Sequence, residues 1–412
     1  MEKKKLSLLS LFLVILLDMV GIGLIAPIIA PLLLSGDLLP VGTSYETRTI
    51  ILGFLTSIYP LAMFFAAPII GAFADKYGRK PVLIISLAGT CFGYLLFAIG
   101  IITGQLWLLF VSRLIDGITG GNAAVVHSAV ADVSDPTEKA KNFGLIGMAF
   151  GVGFIIGPFL GGVLSDSSIL SWFNFATPFW FAAVLSLLNL VAVSRWFKET
   201  LVERNKNIHI SPFTGIKNTI RAFQMKHMRV VFIVLFLQIF GFAFFTQFFQ
   251  VYLIEKFGAT QRDIGFVFGY LGVWIAIVQG TLVRFVSKRK KPEQIIKVTL
   301  LAISFAIPAH LLAPSLGWIY VCMPFLAICN GLTMPNMSAV VSNSADKQSQ
   351  GEIMGITASL QSLGVAIPPM IAGFIVAFHP SLPTLIAGIL AFMSWLVFVL
   401  KYKPSTEKFH EV

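Results

Sequence analysis

Charge is scarce in this chain. Only 12% of its 412 residues are Asp, Glu, Lys or Arg, against about a quarter in ordinary soluble domains, and that shortage excludes a water-soluble globule. Cysteine is scarcer still: Cys91, Cys322 and Cys329 all lie in apolar runs, so no disulfide framework is implied. A phosphate-cradling G-x-x-x-x-G-K-[ST] loop is missing, which excludes ATP as the driving force. No His/Cys cluster has metal-ligand spacing, so neither a metal nor any other cofactor is expected, and no enzyme chemistry. The glycine-rich stretches fall inside apolar runs, where they are not phosphate cradles. A net charge of +11 would suggest nucleic acid in a soluble protein. Here the bases are confined to alternate loops, which excludes that partner.

What is abundant is hydrocarbon, at 57% of residues. Apolar segments fall near 6–33, 48–73, 82–103, 106–131, 143–165 and 177–197, and again near 230–254, 262–286, 295–314, 316–341, 352–378 and 382–401. Each is long enough to cross a bilayer, which takes about 20 residues. The opening MEKKK and its apolar run have the outline of a signal peptide, but the length of the run, Asp18 and Pro27 mark a retained first helix. With the N-terminus inside, the cytoplasmic face collects Lys3 to Lys5, Lys76 to Lys80, Lys139, Lys141, the central loop, Lys288 to Lys291 and the tail. The outer face keeps only Arg48, Lys256 and Arg262. The positive-inside rule then places both termini in the cytoplasm.

The polar, basic stretch 198–228 divides the chain into a six-helix bundle over 1–197, a cytoplasmic linker, and a second bundle over 229–412. An internal repeat supports the division: GAFADKYGRKP between spans two and three returns as GTLVRFVSKRKKP between spans eight and nine, with Arg284 where Asp75 stands. The expected fold is an all-α membrane protein of twelve transmembrane helices in two pseudo-symmetric six-helix bundles, a monomer embedded in the bacterial inner membrane.

The first hinge carries the most specific motif. Gly71, Asp75, Lys76, Gly78, Arg79 and Lys80 fill the pattern G-x-x-x-D-[KR]-x-G-R-[KR] with nothing missing, and so resemble the signature of the major facilitator superfamily. Its glycines let two helix ends approach closely while the charged groups stay where those ends meet water.

Three charged side chains lie inside apolar spans: Asp18, Arg113 and Asp116. Such groups are costly in hydrocarbon and face a cavity or the bundle interior. Arg113 and Asp116 are three residues apart and able to pair, which leaves Asp18 without a fixed partner. A carboxylate in a site of low polarity can take up and release a proton near neutral pH, as proton-coupled transport requires, and Asp18 is the first choice for that role. A static, charge-neutral lock is the other reading of the trio. His127 lies further along span four, apart from the other charges, and as a lone histidine fits packing as well as titration.

Span five contains GMAFGVGFIIGPFLGG, in which Gly153, Gly157 and Gly161 recur every four residues and make one bare face for a neighbouring helix. Pro158 adds a kink or pivot. The pattern resembles the motif of antiport-type exporters. Together with LDMVGIGLIAPIIAPLL (17–33), RLIDGITGGNAAV (113–125) and NGLTMPNMSAVVSN (330–343), the chain is similar to the tetracycline/proton antiporters and their twelve-span drug:proton relatives. The resemblance implies export of a small amphipathic compound in exchange for protons. It matches Asp18 to a first-span acid, Asp75 and Arg79 to the hinge gate, Arg113 and Gly117 to a fourth-span motif, and Gly157 and Pro158 to the fifth-span motif. The tetracycline exporters carry further acids in spans three and nine, where this chain has Phe92-Gly93 and LLAISFAIPAH, and they lack a counterpart of Asp116. The expectation is therefore the general class rather than tetracycline itself.

Amides in the spans are candidates for the substrate cavity: Asn122, Gln238, Gln247, Gln250, Asn330, Asn336 and Gln361, with His127 beside them. Gln238 falls on the other side of span seven from Gln247 and Gln250, so these three cannot line one cavity. The resulting expectation is a proton-coupled antiporter working by alternating access. The alternatives are an importer or facilitator of a polar metabolite, and a non-transporting receptor or scaffold, which would have no need of the buried acids.

Overall fold

The computed structural model describes residues 2–34, 38–134, 139–201, 211, 213–225, 228–344 and 350–403, without the side chains of 2–6, 139–141 and 350–351. The side chains of the bases expected at Lys3 to Lys5, Lys139 and Lys141, half of those in the central loop (Arg204, Lys206 and Lys226), and Lys408 of the tail lie outside this description. All the secondary structure among the described residues is helical.

Among the described residues, eleven helices are long and apolar enough to cross a membrane. The remaining span is broken into Leu106–Thr119 and Asn122–Val133, each too short to qualify. Two adjacent glycines, Gly120 and Gly121, cause the break, since glycine is a poor helix former. They also let span two close in: a Cβ on Gly121 would stand 2.8 Å from Ile70 and 3.2 Å from the Ala67 backbone. Span four is thus two half-helices where the hydropathy alone reads one.

In chain order the first half has span one (Glu2–Ile25, followed by the short helix Ile29–Leu34), span two (Tyr45–Tyr77), span three (Arg79–Ile102), span four, span five (Lys139–Leu164) and span six (Thr177–Trp196). The second half has span seven (Arg229–Phe257), span eight (Gln261–Ile277, extended by a π turn at Val278–Leu282 and by Val283–Ser287), span nine (Pro292–Ala309), span ten (Leu316–Asn343), span eleven (Gln350–Ile375) and span twelve (Leu382–Lys401). Local signals set several ends. Ser44 caps span two by accepting from Thr47 N–H, and Thr260 with Asp263 forms a capping box on span eight. Gly78, at φ 112°, makes the turn between spans two and three.

The linker differs from its expectation as a plain polar loop: Thr214–Gln224 is an amphipathic helix. Gly215 packs on Phe64 of span two, Asn218 donates to Ser359 Oγ of span eleven at 3.2 Å, and Arg221 pairs with Glu352.

The two halves meet through spans two and eleven and through spans five and eight. Both seams lie at the end of the molecule away from the Gly78 hinge. There Gly53 faces Gly373, and Gly162 faces Gly265, closely enough that a Cβ on Gly373 would lie 2.7 Å from the Thr49 carbonyl. Apolar packing follows the same division. One cluster at the far end includes Leu24 and Phe97 of the first half with Phe249, Ile264 and Val376 of the second. At the hinge end the packing splits into separate clusters, none of which spans both halves. Gly144, Gly147 and Gly151 of span five and Gly280 of span eight have nothing facing them there. The molecule is sealed at the far end and parted at the hinge end.

Candidate functional site

The hinge is a charged network anchored on backbone. Gly78 lets the chain turn sharply, and Arg79, buried on its first helical turn, pairs with Asp75 one turn back. Its Nε also lies 3.4 Å from Asp132 Oδ2 at the end of span four. Glu199, in the loop after span six, accepts from the backbone N–H groups of Arg79 (2.9 Å) and Lys80 (3.1 Å), so a carboxylate occupies the start of span three where helix dipole and free donors favour it. Lys80 Nζ donates to the Ser194 carbonyl at 2.7 Å. Burial works to raise the Glu199 carboxyl, but the N–H groups of Leu201, Arg79, Lys80 and Thr200 outweigh it and hold the group below the ordinary glutamate range. Of the motif's other members, Lys76 stands over the Tyr77 ring, 5.4 Å from its centroid, and Gly71 faces open space.

The second cluster lies inside the first half. Asp18 of span one accepts from Asn122 Nδ2 at 3.0 Å, and Asn122 is fully buried at the restart of span four after the glycine break. Arg113 and Asp116 form an ion pair at 3.0 Å, each under a tenth exposed. The guanidinium is ringed by aromatics: Phe97, Tyr59 and Tyr94 lie 5.0, 5.8 and 6.0 Å from it. Gly93 lets span four come close, since its missing side chain leaves room for Asp116 Cβ and its carbonyl accepts from Ser112 Oγ at 2.7 Å. The structure thus brings Asp18, Asn122, Arg113 and Asp116 into one buried neighbourhood.

Span five connects this cluster to the seam between halves. Its glycine face meets span one: a Cβ on Gly157 would stand 2.7 Å from the Val20 carbonyl, one on Gly153 2.8 Å from the Leu16 carbonyl, and one on Gly161 2.9 Å from Pro27. The adjoining face meets span eight, where a Cβ on Gly265 would stand 2.6 Å from the Pro158 carbonyl. Gly117 of span four is covered by Tyr59 and Ala62 of span two.

The remaining candidates are scattered. His127 stacks on Phe143 and Phe150 at 5.7 and 6.3 Å. Gln238 and Gln250 are each 1% exposed; Gln250 donates to the Gln247 carbonyl, while Gln238 has no hydrogen bond. Asn336 is buried and donates to the Leu332 carbonyl one turn back. Asn330 is buried, and Gln247 and Gln361 are half-buried. Gln250 and Asn336 thus serve contacts within their own helices. Sequence reasoning missed Asp132, Glu199, Tyr59, Thr90, Tyr94 and Asn189. For Asn189 a signal existed, as an amide in the middle of the apolar span six.

The sequence profile of the Major Facilitator Superfamily matches residues 11–369. The chain is 31% identical over 417 residues to the tetracycline resistance protein, class H, of Pasteurella multocida, covering 98% of both chains. It is 30% identical to the class B protein of Escherichia coli, covering 89% of this chain and 87% of that one. The human organic anion transporter MFSD10 (TETRAN) superposes with a TM-score of 0.72 at 22% identity, covering 96% of this chain and 99% of that one. A D-xylose-proton symporter superposes at 0.77 and 16% identity, covering 96% and 97%, a likeness of fold alone. With its twelve helical spans and these relatives, this chain belongs to the Major Facilitator Superfamily and is a multi-pass membrane transporter.

Proposed function

We propose that the protein exports a small amphipathic compound in exchange for protons, by alternating access, from the bacterial inner membrane with both termini in the cytoplasm. The observation that carries this reading is the position of Asp18. The acid sits on a helix whose backbone is pressed against span five, and span five is in turn pressed against span eight of the other half. A change of charge at Asp18 alters its bond to Asn122 and the seat of span one, and so acts on the seam that must open for release. Asp116, paired with Arg113, tunes the field around Asp18. The relatives named for tetracycline resistance support the export direction and the drug-like substrate. An apolar groove of about 320 Å³ between spans five, eight and ten, lined by Phe159, Phe266 and Tyr320, suits an amphipathic molecule. In this reading the parted hinge end faces the cytoplasm, the sealed end faces outward, and Asp75 and Arg79 latch the cytoplasmic side when it closes.

The test is proton movement in proteoliposomes containing a pH-sensitive dye, with tetracycline, ethidium and further amphipathic compounds added in turn. A compound that collapses an imposed pH gradient through the wild-type protein, but not through Asp18→Asn, supports the reading. Full proton-driven export by Asp18→Asn would remove Asp18 from the coupling role.

A further inference from the structure

Beside Asp18 lies a small cavity enclosed by spans one, three and six, with Thr90, Tyr94, Ser186 and Asn189 on its wall. Its free volume of about 10 Å³ is the size of one water molecule. Asn189 is 2% exposed, and neither its Nδ2 nor its Oδ1 meets a hydrogen-bonding partner. Thr90, 4% exposed, lines the same space, and its hydroxyl faces the Asp116 carboxylate. Unpaired polar groups are costly in a membrane interior, and Leu at position 189 would serve packing alone in the run SLLNLVAV. An amide with both its donor and its acceptor unpaired, in the wall of a water-sized space beside a carboxyl, needs an occupant that both donates and accepts.

We propose that this cavity is a water site and that Asn189 is the positioning residue that holds the water between Asp18 and Thr90. The proposal rests on the reading of Asp18 as the proton carrier. Thr90 faces Asp116 on span four, so the water completes a line from one acid to the other. Protonated Asp18 gives its proton to the water oxygen, the water passes one of its own protons to the Thr90 hydroxyl, and that hydroxyl passes its proton to the Asp116 carboxylate. Each O–H bond broken is matched by one formed, and the net change is Asp18 ionised and Asp116 neutral. The charged and titratable groups around the line are Arg113 and Asp116 of span four, Tyr59 of span two and Tyr94 of span three. Span four also carries His127, which faces span five. Span five has no ionisable side chain from 142 to 164, and span six has none before Arg195.

The test is infrared difference spectroscopy of the full chain in lipid, with tetracycline- and ethidium-driven proton flux alongside. The carboxyl band lost in Asp18→Asn identifies Asp18. The proposal expects a water O–H band that moves in H2-18O and disappears in Asn189→Leu together with a shift of the Asp18 band. Proton flux in that variant is expected to fall about tenfold, about 1.4 kcal/mol on the barrier. Asn189→Ser, which keeps a donor and an acceptor, is expected to retain the water band, and it carries the test if Asn189→Leu fails to fold. An unchanged spectrum in Asn189→Leu, or loss of the water band in a folded Asn189→Ser, overturns the proposal. So does displacement of the wild-type water band by sodium in place of potassium, which would make this a sodium site. If Asp18→Asn removes the carboxyl band and the flux while Asn189→Leu changes nothing, only the water site falls. If Asp18→Asn leaves the flux intact, the reading of Asp18 falls first.

Discussion

At the scale of single residues, Glu199 is the clearest case of a side chain whose importance lies in what its carboxylate accepts. Beyond Arg79 and Lys80 it takes the N–H groups of Thr200 and Leu201, each at 3.0 Å, so it ties the exit of span six to the start of span three. Its carboxyl sits below the ordinary glutamate range in the folded protein. A depressed folded value stabilises the fold above the ordinary glutamate range, and that contribution disappears as pH falls through the depressed value. Glu199→Gln should therefore lower stability at neutral pH by about 1 kcal/mol, the usual worth of a helix cap. The deficit should shrink in acid, as read from thermal melts in detergent from neutral to acid pH. The hinge motif made Asp75 and Arg79 legible in the sequence because their pairing is local, one helical turn apart. Asp132 and Glu199 were not legible, since they reach Arg79 across 53 and 120 residues and no local pattern marks either.

At the scale of elements, span five behaves as a plate between two neighbours. Adding a Cβ at Gly157 would press on the Val20 carbonyl and on Gly23, which are backbone and cannot yield as a side chain can. Gly157→Val is expected to cost about 1–3 kcal/mol by overpacking and to lower the melting temperature of the purified protein. Gly151→Val, facing open space on the same helix, should leave it near wild type. The glycine spacing in the sequence disclosed the bare face; that span one covers it is a non-local fact. Hydropathy likewise gave the spans, but it passed over the interruption at Gly120 and Gly121. The linker helix was overlooked for a different reason. Phe213, Ile216, Ile220 and Phe223 recur at helical spacing and are exposed, yet Lys217, Asn218 and Arg221 between them make the stretch read as polar.

At the scale of the whole molecule, the far end is held by backbone packing and by little charge. Arg262 of span eight lies 3.6 Å from Asp166 beyond span five, and Gln261 donates to the Ser165 carbonyl at 3.3 Å. Hydrogen bonds from Ser168, then the nearby Arg262, hold the Asp166 carboxyl below the ordinary aspartate range, so it is a carboxylate at physiological pH. Arg262 is exposed and Asp166 partly so, and pairs open to solvent contribute about 1 kcal/mol at most. Asp166→Asn should therefore shift the balance between closed and open far ends by no more than about fivefold. Distances between spin labels on the loops flanking the Arg262–Asp166 pair, measured at low and high salt, read that shift directly. A larger effect would assign the seal to charge and not to the glycine seams.

Those seams have a further consequence for how tightly the transporter keeps its accounts. Where carbonyl meets glycine, no rotamer can swing aside to let one half slip while the other stays put. Spans one and five must therefore move as one body when the seam to span eight opens, and in the proposed exchange that shape blocks proton entry without substrate movement. The bulkier residue that damages stability at Gly157 should then also appear as a leak: protons crossing in liposomes that hold no substrate.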